Sequence, residues 1–161
     1  MKPWFYKTMK HHERVTFNQG REILQHSVDY LRHVNDQLDV AADHEHPERV
    51  RMLLESYRIE QRNLLGAIER YLEDAPDKVL NTYSQYAVEL PAELAGPEEP
   101  LGTLSLTQWL MALNQHLVTM FTELAGSGKN EALRNIFATL SDQVQGHDRR
   151  LSKEYQRFED L

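Results

Sequence analysis

Residues 74–104 read DAPDKVLNTYSQYAVELPAELAGPEEPLGTL. Two features of this stretch decide the fold. After Pro76, the residues Val79, Leu80, Tyr83, Tyr86 and Leu90 recur at helical steps and predict a short amphipathic helix. Pro91 and the run Gly96-Pro97-Glu98-Glu99-Pro100 then force irregular chain. The whole segment is also too long for a tight turn. A helix of 25 residues is about 37 Å long, and a connection of this size can travel back along it. The helix that follows is therefore expected to start at the same end as the helix that precedes.

Long helical patterns lie on both sides. Upstream, Leu24, Val28, Leu31, Val34, Leu38 and Ala41 mark one face of a first helix over 18–43. Asp43-His44-Glu45-His46 then forms a polar turn, and Pro47 suits the first turn of a second helix, where its missing N–H costs nothing. That helix spans 47–73 with the stripe Val50, Leu53, Leu54, Tyr57, Leu64, Ile68, Tyr71 and Leu72. Downstream, Leu106, Trp109, Leu110, Leu113, Leu117, Met120 and Leu124 define a third helix over 105–126. Ser105 to Gln108 has capping-box spacing. Gly126-Ser127-Gly128 is expected to end the helix in the left-handed conformation. A fourth helix over 130–158 carries Leu133, Ile136, Phe137, Leu140, Val144, Leu151, Tyr155 and Phe158. The short turns make helices one and two, and helices three and four, antiparallel neighbours. The expected fold is all-α: a single domain over 1–161, with an N-terminal arm over 1–17, a four-helix bundle, and a crossover over 74–104 that contains a short helix.

Composition narrows the function classes. A chain of 161 residues can bury a sizeable core without a disulfide or a structural metal. No cysteine is present, which excludes thiolate catalysis and Cys-based zinc or iron–sulfur sites. The net charge of −7 argues against a nucleic-acid partner. Arg149, Arg150, Lys153 and Arg157 are interleaved with Asp148, Glu154 and Glu159, as on a solvated helix face. No apolar run approaches the roughly 20 residues of a membrane span. The start MKPWFYKTMKHHERV lacks the h-region of a secretory signal, so a cytoplasmic location is expected. Phosphate-loop and nucleophile-elbow spacings are missing.

Arg51-Met52-Leu53-Leu54 through Ala67-Ile68-Glu69-Arg70-Tyr71, Lys78 through Tyr86, and the closing Phe158-Glu159-Asp160-Leu161 resemble the ferritin-like, rubrerythrin-like superfamily. More narrowly, they resemble its small uncharacterised bacterial members. The resemblance implies a bundle with two hairpins joined by one long crossover. It also implies two irons held by a Glu on each of two helices and a Glu-x-x-His on each of the other two.

That ligand set is broken in this chain. Glu60 is followed at the His position by Asn63, and the Glu that would precede His147 is Val144. Glu22, His26, Asp29 and His33 form a row opposite the first apolar stripe and are expected to face solvent or a partner subunit. Ser27 and Asn35 face inward instead. His116 and Glu123 share an edge of the third helix but lie about 10 Å apart along its axis. His147, alone on an apolar face, is expected to be a core histidine hydrogen-bonded to Gln61 or Tyr57. The candidate metal ligands are Glu60, His116 and His147, which could form a residual mononuclear site for iron or manganese.

Three functional readings follow. The first is a non-enzymatic bundle acting by self-association as a homodimer, or on a protein partner, with Trp4, Phe5 and Tyr6 suited to docking. The second is a metal-dependent oxidoreductase or metal-handling protein. The third is a binder of small molecules lined by Tyr57, Tyr71, Trp109 and His147.

Overall fold

A computed structural model describes residues 15–87 and 94–159. Trp4, Phe5, Tyr6, His11, His12, Leu90, Pro91, Asp160 and Leu161 lie outside the described residues, as does the side chain of Tyr86. The chain is mostly helical. Its elements run β1 (Val15–Gln19), α1 (Gly20–Ala42), α2 (Glu48–Asp74), α3 (Asp77–Leu80), β2 (Tyr83–Ala87), α4 (Thr103–Ser127) and α5 (Glu131–Glu159).

The four long helices start and stop where local chemistry dictates. Gln19 has extended backbone, and its N–H donates to Glu22 Oε1 at 2.9 Å, which fixes the start of α1. Glu22 also lies in the first turn, where the helix dipole favours a negative charge. Pro47 sits just before α2 rather than inside its first turn, and its carbonyl accepts from Arg51 N–H at 3.1 Å. Ala75 ends α2 in the extended region that a residue before proline prefers. Asn130 caps α5 by accepting from Leu133 N–H at 3.0 Å.

Two expectations about the ends of α4 need correction. Ser105 is not its cap. It occupies the third helical position, where its hydroxyl accepts from Gly102 N–H at 3.0 Å and donates to Gly102 O at 3.1 Å. The helix therefore begins two residues earlier than the capping-box spacing suggested. Gly126 and Ser127 remain helical, and Gly128 ends α4 with φ −76° and ψ 158°. Extended backbone, not the left-handed conformation, breaks this helix.

The crossover differs more. Among the described residues between Pro76 and Gly102, Asp77–Leu80 alone is helical, and Tyr83 lies on a strand. β2 pairs antiparallel with β1 in the register Val15↔Ala87 to Gln19↔Tyr83. The N-terminal arm thus joins a two-stranded ribbon, and α1 starts at Gly20. Strand alternation explains why Ser84 is buried while Tyr83 is 63 % exposed. Thr82 links ribbon and helix: its carbonyl accepts from Gly20 N–H at 2.9 Å. Gly20 relieves a tight spot at that point: a Cβ there would lie 2.7 Å from Leu133 Cδ1, closer than atoms pack, and 3.3 Å from Leu80 O, so Leu133 would have to shift.

Side-chain bonds fix the helix directions. Arg32–Glu69 (3.2 Å) and Arg62–Asp39 (3.3 Å) tie α1 antiparallel to α2. Asn114–Asp148 and Thr122–Ser141 do the same for α4 and α5. Tyr57–Thr107 and Gln61–Asn114 set α2 parallel to α4. Tyr30, fully buried, donates to Leu113 O at 3.1 Å and closes α1 against α4. The inward stripes form one apolar core that runs from Ile23 to Phe158. Ser27 and Asn35 are buried as expected, each satisfied by a carbonyl four residues back on its own helix. No helix among the described residues is long and apolar enough to cross a membrane.

Candidate functional site

The seam between α2, α4 and α5 carries a polar layer inside otherwise apolar surroundings. It begins at Glu60, which the α2 phase puts at the edge of the stripe. Arg150, from the facing turn of α5, donates from Nε to Oε1 at 2.8 Å and from its guanidinium NH₂ to Oε2 at 3.1 Å. Such a two-pronged contact is the strongest geometry an arginine and a carboxylate can form. His147 Nε2 lies 3.1 Å from the same Oε2. A carboxylate only accepts, so the ring proton sits on Nε2. Glu60 is therefore the partner of His147, in place of the expected Gln61 or Tyr57.

His147 is 2 % exposed. Burial pushes its pKa below the ordinary histidine value. Glu60 pulls it up and Arg150 pulls it down. Burial thus favours the neutral ring, whose buried Nδ1 has no hydrogen-bond partner among the described residues.

The next residues on the two helices, Gln61 and Asp148, belong to a chain of amides. Asp148 accepts from Asn114 Nδ2 at 2.9 Å. Asn114 Oδ1 is then free to accept from Gln61 Nε2 at 3.4 Å. Each amide is oriented by the charge at the end of the chain, and the last acceptor, Gln61 Oε1, is buried without a partner among the described residues. Burial raises the Asp148 pKa above the usual carboxylate range, and the Asn114 bond opposes that shift. Towards the other end of the seam, Tyr57 OH bonds Thr107 Oγ1 at 2.8 Å and donates to Leu151 O at 3.2 Å. Burial pushes the Tyr57 hydroxyl up to about 12.

The three candidate ligands divide. Glu60 and His147 meet, but in an ion-paired arrangement that already uses both carboxylate oxygens. His116 is half-buried on α4. No group of three His, Cys, Asp or Glu side chains among the described residues is close enough to hold a metal ion. The row on α1 also divides: Glu22 and His33 are exposed, whereas His26 and Asp29 are half-buried. Burial pushes His26 down to about 3, so it does not face solvent as expected. In the α1–α2 turn, a ring nitrogen of His46 donates to Ala41 O at 2.7 Å and closes the end of α1. Glu123 is exposed, and Glu154 pairs with Arg157 at 3.1 Å.

The aromatic side chains considered for a ligand pocket point to different places. Tyr57 is fully buried and hydrogen-bonded. Trp109 Nε1 donates to Ala95 O at 2.9 Å and pins the crossover. Tyr71 lines a surface cavity with Ala67, Arg70, Asp74 and Gln143. A second open groove, of about 510 Å³, lies between the first turns of α2 and the end of α5, with Met52, Ser56 and Phe158 among its walls.

Asn114 and Asp148 were missed by sequence reasoning. Asn114 gave a signal, since it stands four residues after Leu110 and three before Leu117 on the inward face. Asp148 gave none, because it sits in a charged run. Comparison of the chain with family models, curated proteins and solved structures gave no match.

Proposed function

We propose that this chain is a ferritin-like four-helix bundle, with a long crossover between α2 and α4, whose interior polar layer is structural and which acts through its surface. Action is by self-association or by binding another protein. One observation carries this proposal: Glu60 has both oxygens engaged, by Arg150 and by His147, so the inward carboxylate that a metal would need is already neutralised within the fold. The exposed apolar side chains Val40, Met52, Ile59 and Leu104 supply surface for contact. The test is elemental analysis of protein purified without chelator, with an absorption spectrum for oxo-bridged iron. Metal well below one equivalent supports a structural interior; stoichiometric iron or manganese overturns it.

A second function has its own observation. The buried lone pairs of His147 Nδ1 and Gln61 Oε1 have no partner among the described residues. An imidazole nitrogen and an amide oxygen are acceptable donors to a borderline divalent ion. Under this alternative the chain is a metal-handling protein or oxidoreductase with iron or manganese at the seam, and the same elemental analysis decides between the two.

A further inference from the structure

We propose that α2 pairs with α2 of a second copy of this chain, antiparallel, about a two-fold axis at Ile59. This rests on the surface-acting function above and names the partner. The solvent side of α2 carries Met52, Ile59 and Gly66 at seven-residue steps, which drift by only about 20° each and so form one line. Met52 is 43 % exposed and Ile59 49 % exposed. Both are large apolar side chains on the outside of a helix whose inner face is already filled.

Gly66 sharpens the case. A glycine inside a helix is unfavourable relative to alanine, and nothing among the described residues requires one here. Of these, a Cβ at Gly66 would meet only the tip of Arg70, at an ordinary 3.5 Å. The notch is explained if something from outside occupies it.

The charges on the line say what. Glu48 and Arg70 stand eleven residues before and after Ile59, about 16 Å away on either side and on the same face. Acid at one end and base at the other, equidistant from the centre, is matched by an antiparallel copy of the same helix. In that arrangement Ile59 meets its own copy. Met52 of each chain lies over Gly66 of the other, and Glu48 of each faces Arg70 of the other. An interface of this kind is self-complementary, as two-fold association requires.

Sedimentation equilibrium on the full chain, over a micromolar concentration series, tests this. The wild type is expected to be a dimer. Ile59→Asp places two carboxylates on the axis and is expected to give a monomer. Gly66→Leu fills the notch and is expected to weaken association at least tenfold. Far-UV circular dichroism checks that both variants keep their helices, as solvent-facing substitutions should. Glu48→Arg and Arg70→Glu each weaken the dimer, and the double variant restores it because the opposed charges are swapped together. A monomeric wild type overturns the proposal, as does a dimer untouched by Ile59→Asp, or a double variant no tighter than the singles. A monomeric wild type leaves action on a different protein standing, whereas stoichiometric metal removes the surface-acting function whatever the oligomeric state.

Discussion

Acidification should loosen this fold through His147. In the native chain burial outweighs the pull of Glu60 and favours the neutral ring, and Arg150 adds to the burial effect. In the unfolded chain the same ring titrates near about 6.5. Below that pH the unfolded state binds a proton more readily than the native state does. The unfolded state then holds more protons, so stability falls as pH falls. One such group removes at most about 1.4 kcal/mol per pH unit, hence up to about 2 kcal/mol by about pH 5. His26, whose native value is about 3, acts with the same sign, though partial exposure screens its share. Asp148, with its raised pKa, acts with the opposite sign. Wild type and His147→Gln share Asp148, so their difference between about pH 7.5 and about pH 5 isolates the His147 contribution. Urea denaturation at one protein concentration, followed by far-UV circular dichroism, should show the wild type losing stability across that window, with up to about 2 kcal/mol of the loss due to His147. His147→Gln keeps a donor for Glu60 and removes the titrating group, so its loss should be smaller by up to about 2 kcal/mol. A variant with the wild-type pH slope would refute the assignment of His147 as a neutral, acid-sensitive core residue.

Two further substitutions probe particular contacts. Gly20→Ala sets a methyl 2.7 Å from Leu133 Cδ1. The resulting shift should cost about 1–3 kcal/mol and lower the thermal midpoint, contrary to the usual gain from alanine in a helix. Asn114→Ala strands Asp148 and Gln61 in the seam. It should destabilise by about 1–3 kcal/mol in urea titration, and Asn114→Asp should be worse because it opposes a second carboxylate to Asp148.

The long helices were legible because each repeats apolar residues every three or four positions and ends at a residue with a known local preference. Pro47, Pro76 and Gly128 lie within two residues of the boundaries they mark. The ribbon was not legible. Tyr83 and Tyr86 have helical spacing, and what makes them extended is a partner strand at Val15–Gln19, far away in sequence. No local pattern carries that information. Tyr30 and Phe121 were overlooked as core residues for a milder reason: the stripes on α1 and α4 are wider than the rows used to trace them, and both rings are fully buried.

In the seam, His147 stood out as one polar residue on an apolar stripe, and Glu60 as an edge carboxylate. Their pairing depends on the relative phase of α2 and α5, which only packing sets. The direction of the amide chain needed even more. It follows from Asp148 being able only to accept, once Asn114 is known to lie beside it.

The ribbon has a bearing on the order in which this chain assembles. β1 precedes α1 and β2 follows α2, so their pairing fastens the two ends of the first helical hairpin together. The strands come within reach of each other only once α1 lies back along α2. Closing so long a loop is entropically costly for a five-residue pairing on its own. Pre-formed helices remove most of that cost, so the ribbon acts as a late clasp on a hairpin that has already zipped. Its amides should exchange with solvent sooner than those of the helices it joins, and its loss should let α1 swing free before α4 and α5 come apart.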